Sequence, residues 1–496
     1  MTANLPVIIV ICPFFAALIC PILSFLGKQI AKGFVIAVNA FALCLAVYQL
    51  YRVVNFGRIS YSMGDWAVPY GIEFSVDALN AVVLVLVFTI GLMSLIFSLP
   101  FVEKAQQLRT FGYYSTMSLL ICGLAGMSST GDVFNLYVFL EITSLSGYTL
   151  IALGGSRGTL SAFRYLLIGT IGASFYLLGV AFLYGETGSL NMQDIAMRLG
   201  PVTDHGTTLI AMAFFVIGFA IKMSLFPLHG WQPAAYASAH PGAAPLISGV
   251  MGKIPAYGMI RFFFFLFDAN AQYVRQFLVV VGIMSCCGMI YGSLKALEKT
   301  DFRKMLAYSS IAQIGYIGLG VAITGYYGLI GAVLHIVGHS AMKSCLFFCA
   351  GGIQYKYGEV NMKHFGQLQK TMPFTSAAIV IAGLSMIGIP PLTGFFSKWY
   401  LALGAAKEGM YIYIAVLVAS SLLNAIYFFR LFERLFMDKE NKERRLRREK
   451  VRPRAPELPL TMLIPIIVCA LMIILLGVFN TGVVDILSTA LTEVTP

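Results

Sequence analysis

The chain has 496 residues, 58% of them apolar and only 11% charged, with a net charge of +12. Mean hydropathy is +0.82, and soluble domains carry roughly 25% charged residues, so the composition excludes a soluble fold and fits a polytopic, all-α membrane protein. The positive charge would suggest nucleic acid in a soluble chain, but here loop asymmetry explains it and no nucleic-acid partner is expected.

Fourteen spans are expected, at 4–26, 32–54, 76–100, 111–128, 132–153, 160–184, 207–238, 243–266, 274–296, 303–323, 326–352, 372–406, 411–436 and 458–480. Strands are not indicated, because the apolar runs are long and do not alternate. The first run, Leu5 to Phe25, lacks a basic leading region and is long enough to span, so it reads as a retained helix rather than a cleaved signal. Between spans six and seven, Leu190 to Leu199 mixes polar and apolar residues at helical spacing and predicts a short interfacial helix.

Charge alternates along the connections. Those after spans 1, 3, 5, 9, 11 and 13 hold 24 Lys and Arg, against 5 on the other side. The positive-inside rule then puts both termini on the outer side of the membrane. Eleven of the 24 lie between Arg430 and Arg454, a basic loop expected to fix topology and face lipid headgroups. The nine cysteines lie almost entirely in apolar segments; none forms a ligand cluster, and Cys345 and Cys349 are expected to pack as small apolar residues.

Two spans are interrupted. The seventh runs through Pro227 and Pro233, the twelfth through Pro390 and Pro391. Proline removes an amide donor and clashes with the preceding turn, and in a membrane the freed carbonyls need partners or water. Interrupted spans at corresponding places in two halves point to a transport site. The expected division is therefore residues 1–110 (helices 1–3), 111–266 (a first five-helix repeat), 267–436 (a second), 437–457 (the basic loop) and 458–496 (helix 14 and the tail). A five-helix repeat placed in tandem has inverted topology.

The apolar spans carry ionisable side chains. Glu141 lies in span five, Lys222 just before the break of span seven, Lys253 in span eight and Lys398 after the break of span twelve. On span eleven, His335, His339 and Lys343 recur every fourth residue, which puts all three on one helix face. Such residues in a membrane face protein or water and mark ion pathways. Four lysines and two histidines against one carboxylate cannot be neutralised by ion pairing alone, so exchange of protons is the physical alternative. Arg261 and Asp268, nearer the end of span eight, are expected to snorkel. Ser309, Ser310 and Gln313, with Thr143, Ser144, Ser146 and Tyr148, supply polar neighbours, and His229 and His240 flank the connection between spans seven and eight. Zinc at His335 and His339 lacks a third ligand and faces Lys343, so no metal is expected. No dinucleotide fingerprint or cysteine cluster is present either, so no cofactor is expected. A structural scaffold whose buried charges only fix helix register is the non-transport alternative, and the broken helices speak against it.

With these residues in hand, the chain resembles the antiporter-like subunits shared by respiratory complex I, membrane-bound hydrogenases and the Mrp-type multisubunit cation/proton antiporters. The stretch Gly131-Asp132-Val133-Phe134-Asn135-Leu136-Tyr137-Val138-Phe139-Leu140-Glu141 is similar to the span-five motif of the Mrp D-type chain. Gly188-Ser189-Leu190-Asn191-Met192 and Gly64-Asp65-Trp66-Ala67-Val68-Pro69-Tyr70-Gly71-Ile72 are similar to that chain too, less specifically. The resemblance implies a proton-translocating subunit with Glu141 and Lys222 as the coupling pair and Lys253 as the central relay. It implies His335, His339 and Lys343 as the bridge between halves and Lys398 as the exit-side residue. Some relatives carry glutamate there; lysine fits the Mrp D type or the N type of complex I. No long lateral helix is expected after span fourteen, unlike the L type of complex I and the Mrp A type.

The implied activity is antiport of H+ against Na+ or K+ within a multisubunit complex of the plasma membrane, alongside other membrane subunits and lipid. The alternative is a proton-pumping subunit of an NADH–quinone oxidoreductase or hydrogenase, whose redox groups would belong to other subunits. An ion pair about 4 Å apart at an effective dielectric of about 20 is worth about 4 kcal/mol, enough for Glu141–Lys222 to gate a neighbouring lysine.

Overall fold

The structure, a computed structural model, describes residues 4–102, 107–200, 206–269, 271–366, 368–436 and 457–491. Among the described residues, helix occupies each of the fourteen expected places, and ten helices are long and apolar enough to cross a membrane. The other four expected spans are 111–128 and 132–153, each a single helix, and 243–266 and 372–406, each broken into shorter pieces.

The N-terminal part comprises α1 (Leu5–Ser24), α2 (Lys28–Phe56), α3 (Ala78–Phe97) and the single turn α4 (Leu99–Val102). Between α2 and α3 stands a feature the apolar pattern did not predict. Strands β1 (Ile59–Ser62) and β2 (Glu73–Val76) pair antiparallel, with Ile59 opposite Val76 and Ser62 opposite Glu73. Four-residue strands carry too little periodicity to stand out beside 20-residue runs. A capping box starts α3: Asp77 accepts from the Asn80 amide at 3.1 Å, and the Asn80 side chain accepts from the Asp77 amide at 2.7 Å.

The first half continues with α5 (Gln107–Ser129), α6 (Val133–Ala152), α7 (Ser156–Thr187), the predicted interfacial α8 (Met192–Leu199), α9 (Gly206–Met223) and α10 (Gln232–Ser238). Span eight is segmented: α11 (Ala244–Leu246) passes into a π-helical turn, Ile247–Met251, and α12 (Ile254–Arg261) into another, Phe262–Leu266. The second half holds α13 (Gln272–Leu297), α14 (Phe302–Ile323), α15 (Gly325–Tyr357), the turn α16 (Leu368–Thr371), α17 (Pro373–Ile387), α18 (Thr393–Lys407) and α19 (Tyr411–Phe436). Helices α20 (Leu460–Val478) and α21 (Asn480–Leu491) follow. The basic run from Lys439 to Arg454 lies outside the described residues.

Helix α15 is the axis of the molecule. Its apolar window is wholly buried, and α3, α11, α14, α17, α18 and α20 all pack on it. By contrast α2, α7 and α19 present broad apolar faces outward, including Phe41, Phe163 and Leu422, the surface expected where lipid or other subunits cover a membrane protein.

One device occurs in both halves. Asp132 caps α6 by accepting from the Asn135 amide at 2.6 Å, and Asp301 caps α14 by accepting from the Lys304 amide at 2.9 Å. Each aspartate forms an isolated antiparallel bridge with an asparagine, Asp132 with Asn191 and Asp301 with Asn361. The bonds match as well: Val133 N to Leu190 O at 2.9 Å and Met192 N to Gly131 O at 2.8 Å in one half, Phe302 N to Val360 O at 3.0 Å and Met362 N to Thr300 O at 2.9 Å in the other.

Candidate functional site

Each break in a helix leaves carbonyls that the sequence must supply with donors. At the end of α9, Trp231 Nε1 donates to the Ile221 carbonyl at 2.9 Å, and the indole stacks on Tyr165 at 3.7 Å between centroids. Lys222 thus sits in the last turn of a truncated helix, where the carbonyl end of the dipole favours a cation. Its Nζ lies 3.4 Å from Glu141 Oε1 and donates to Ser144 Oγ at 2.7 Å. The lysine side chain is 2% exposed, Glu141 27%. Glu141 borders an outward apolar face of α6 made by Phe134, Val138 and Leu145.

Beside Lys222 is a cavity of about 10 Å³, lined by Ser144, Tyr165, Met251 and Pro255 among others, roughly the room of one water. It lies toward span eight, where Lys253 is fully buried between the first π-helical turn and α12. Lys253 Nζ donates to the Ser248 carbonyl inside that turn. It stands within electrostatic range of His335, His339 and Lys343.

On α15 the stripe is as the spacing predicts. The His335 and His339 rings are 5.6 Å apart and nearly parallel, at 20°. His335 Nδ1 is 3.0 Å from Ser397 Oγ on α18, and Lys343 Nζ donates to the Leu306 carbonyl at 2.7 Å and to Ser309 on α14. Both ring nitrogens of His339 are buried without a partner among the described residues. At the second break, Lys398 Nζ donates to the carbonyls of Met386 at 3.0 Å and Ile387 at 2.9 Å and lies 4.9 Å over the Tyr316 ring. Of the predicted residues, Lys222, Lys253, His335, His339, Lys343 and Lys398 are buried and Glu141 is partly exposed.

Other predicted groups settle differently. Arg261 does not snorkel: its guanidinium pairs with Asp77 at 2.5 Å and donates to Tyr257 Oη at 2.6 Å. Asp77, at the start of α3, brings a carboxylate to this helix end, and the guanidinium binds it. Asp268 lines a cavity of about 800 Å³ with Arg58, Glu73, Asp77 and Arg261, between the hairpin, α8 and the end of α12. Arg303, counted among loop charges, is 5% exposed and donates to the Ala239 carbonyl at 2.5 Å and to Gln354 Oε1 at 2.8 Å, holding the end of α10. His240 packs its ring on Tyr113 at 4.8 Å, and His229 stands between Phe226 and Tyr291. Cys345 and Cys349 pack against backbone carbonyls. No group of three or more metal-ligating side chains occurs among the described residues.

A family profile described as "NADH:quinone oxidoreductase/Mrp antiporter, TM" matches residues 130–424, which contain Glu141, Lys222, Lys253, His335, His339, Lys343 and Lys398. The chain is 42% identical over 490 residues to the N-type subunit of the NADH-quinone oxidoreductase of Desulforudis audaxviator, covering 98% of both chains. It is 31% identical over 391 residues to the D-type subunit of the Na(+)/H(+) antiporter of Alkalihalophilus pseudofirmus, covering 79% of this chain and 78% of that one. Its fold is similar to a chain of the membrane-bound sulfane sulfur reductase, an archaeal respiratory membrane complex, with TM-score 0.90 and 27% identity over 99% of this chain and 98% of the other. On these grounds the chain, a multi-pass membrane protein, belongs to the transmembrane family shared by NADH:quinone oxidoreductases and Mrp antiporters.

Proposed function

We propose that this chain is the proton-translocating subunit of a multisubunit monovalent cation/proton antiporter, moving protons along Glu141, Lys222 and Lys253, across the stripe of Lys343, His339 and His335, to Lys398. One observation carries the reading: buried bases succeed one another through two broken helices, with a carboxylate at one end only. Hydroxyls and backbone carbonyls hold the ammonium groups of Lys253, Lys343 and Lys398, so a proton leaving one of these lysines disrupts hydrogen bonds rather than an ion pair. The Glu141–Lys222 pair gates the first transfer. Pro227, Pro233, Pro390 and Pro391 serve by breaking the helices there.

The paired Asp–Asn bridges support a division into two inverted five-helix repeats, 111–266 and 267–436. With both termini on the outer side of the plasma membrane, the Asp132–Asn191 bridge lies outside and the Asp301–Asn361 bridge inside, as inversion requires. Companion membrane subunits cover the outward apolar faces, and Na+ or K+ is the exchanged cation.

A second reading, the pump subunit of a redox complex, is favoured by the full-length likeness to an N-type subunit. The residues and their proton chemistry are the same in both. Lys253→Met in the assembled complex tests the shared part: transport is expected to disappear with assembly intact, and normal proton movement would overturn the proposal. Co-purification in mild detergent separates the two readings. Small membrane subunits without cofactor absorbance support the antiporter, and iron–sulfur or nickel subunits support the pump.

A further inference from the structure

The second half contains a buried polar cluster outside the lysine and histidine sequence. Asn424, Tyr427 and Ser420 on α19, Tyr316 on α14 and Ser293 on α13 are all fully buried. Tyr427 Oη donates to Asn424 Oδ1 at 2.8 Å, and Ser293 Oγ donates to the same oxygen at 3.3 Å. Ser293 Oγ also lies 3.2 Å from Ser420 Oγ, and Tyr316 Oη lies 3.2 Å from Ser421 Oγ.

The cluster touches the proposed pathway at two places. At one, Tyr427 faces Ser309, the hydroxyl that Lys343 bonds. At the other, Tyr316 lies under the Lys398 ammonium at 4.9 Å and beside the His335 ring at 5.2 Å. Ser309, Gln313 and Tyr316 share one face of α14 at helical spacing. Hydroxyls and an amide that served only to clamp helices would be satisfied by one another. Here Asn424 Nδ2 and both polar atoms of Gln313 are buried without a partner among the described residues.

The repeat gives an independent placement. Lys253 lies 62 residues after the bridge asparagine Asn191, and Asn424 lies 63 after its counterpart Asn361. By this count Asn424 stands on the last span of the second proposed repeat as Lys253 stands on the last span of the first, one residue apart in offset.

We propose that Ser309, Tyr427, Asn424 and Tyr316 form a second proton branch from Lys343 to Lys398, parallel to the histidine stripe. This rests on the proton-translocation reading above. A proton leaves the Lys343 ammonium, whose nitrogen keeps the electron pair. Each hydroxyl, or a water held by the free amide groups, takes a proton on oxygen and releases its own. The Lys398 nitrogen stands over the Tyr316 ring rather than at its hydroxyl, so a water takes the proton that Tyr316 releases and gives one to the Lys398 amine; nothing is oxidised or reduced. Asn424 cannot relay a proton itself; it is a positioning residue that orients Tyr427 and Ser293.

The test is proton transport by the complete complex in proteoliposomes, with Tyr427→Phe and His339→Leu made singly and together and rates normalised to assembled complex. Each single change is expected to leave a measurable rate, and the pair to fall well below the product of the two single effects, since both branches are then cut. Asn424→Ser in the same two backgrounds gives the comparison from a second residue. A pair that only multiplies the single effects, or a Tyr427→Phe chain that transports normally in both backgrounds, would overturn the branch. Lys253→Met is run beside them: if it abolishes transport the pathway stands whatever the branch does, and if it does not, the pathway itself is wrong.

Discussion

The Lys398 ammonium donates to the Met386 carbonyl at 3.0 Å, the group that the amide of residue 390 would hold in an unbroken helix. Residue 390 is proline and has no amide proton, and the same is true of residue 391 with respect to Ile387. The lysine therefore completes the broken helix, and in the proposed pathway the same ammonium also carries the proton. Arginine supplies donors at that site but stays charged. Lys398→Arg is expected to assemble normally and lose transport, while Lys398→Met also leaves two carbonyls bare at about 1–3 kcal/mol each. Native-gel assembly and vesicle transport, read together, check the separation.

Glu141 and Lys222 differ in exposure, 27% against 2%, and this makes their variants unequal. Removing Glu141 leaves Lys222 held by Ser144 at 2.7 Å, so Glu141→Ala is expected to keep the fold and abolish transport. Removing Lys222 deletes a buried cation that its truncated helix favours. Lys222→Ala is likewise expected to abolish transport with assembly largely intact, but with a lower apparent melting temperature than Glu141→Ala. Wild-type transport in either variant would refute the gating role.

The residues of the proposed pathway stood out in the sequence because a charged side chain in a 20-residue apolar run is conspicuous, and because spacing alone places His335, His339 and Lys343 on one face. The Asn424 cluster was hidden for the opposite reason. Asn, Ser and Tyr are ordinary in membrane helices, and only the packing of α13, α14 and α19 brings them together. The Asp132–Asn191 and Asp301–Asn361 bridges did have a signal, an aspartate followed about 60 residues later by Asn-Met in each half, but two-residue matches say nothing until the bridges give them meaning. The burial of Arg261 was not legible because its partner, Asp77, lies at the start of another helix, 184 residues away.

Gly388 ends α17 with φ of 98° and ψ of 45°. A side chain there is strained by about 1–2 kcal/mol, and its Cβ would stand 3.1 Å from Lys398 Cδ. Gly388→Ala is expected to destabilise the chain by about that amount and to slow transport by displacing Lys398. Thermal unfolding in detergent measures the first effect and vesicle assays the second. An alanine variant with unchanged stability and rate would show that the break tolerates a side chain.

The Arg261–Asp77 pair ties the end of α12 to the start of α3, at 2.5 Å and with side chains 14% and 12% exposed. Asp77 also caps α3 through the Asn80 amide, so its loss removes the cap as well as the pair. Arg261→Ala leaves a largely buried carboxylate unpaired, at a cost of about 3 kcal/mol. Arg261→Met with Asp77→Asn removes both charges and keeps a side-chain oxygen to cap the helix. The double variant is expected to melt above Arg261→Ala, although it carries one more substitution. If it melts lower, the pair stabilises through something other than mutual neutralisation, and the cavity beside it, with Glu73 and Arg58, becomes the place to look.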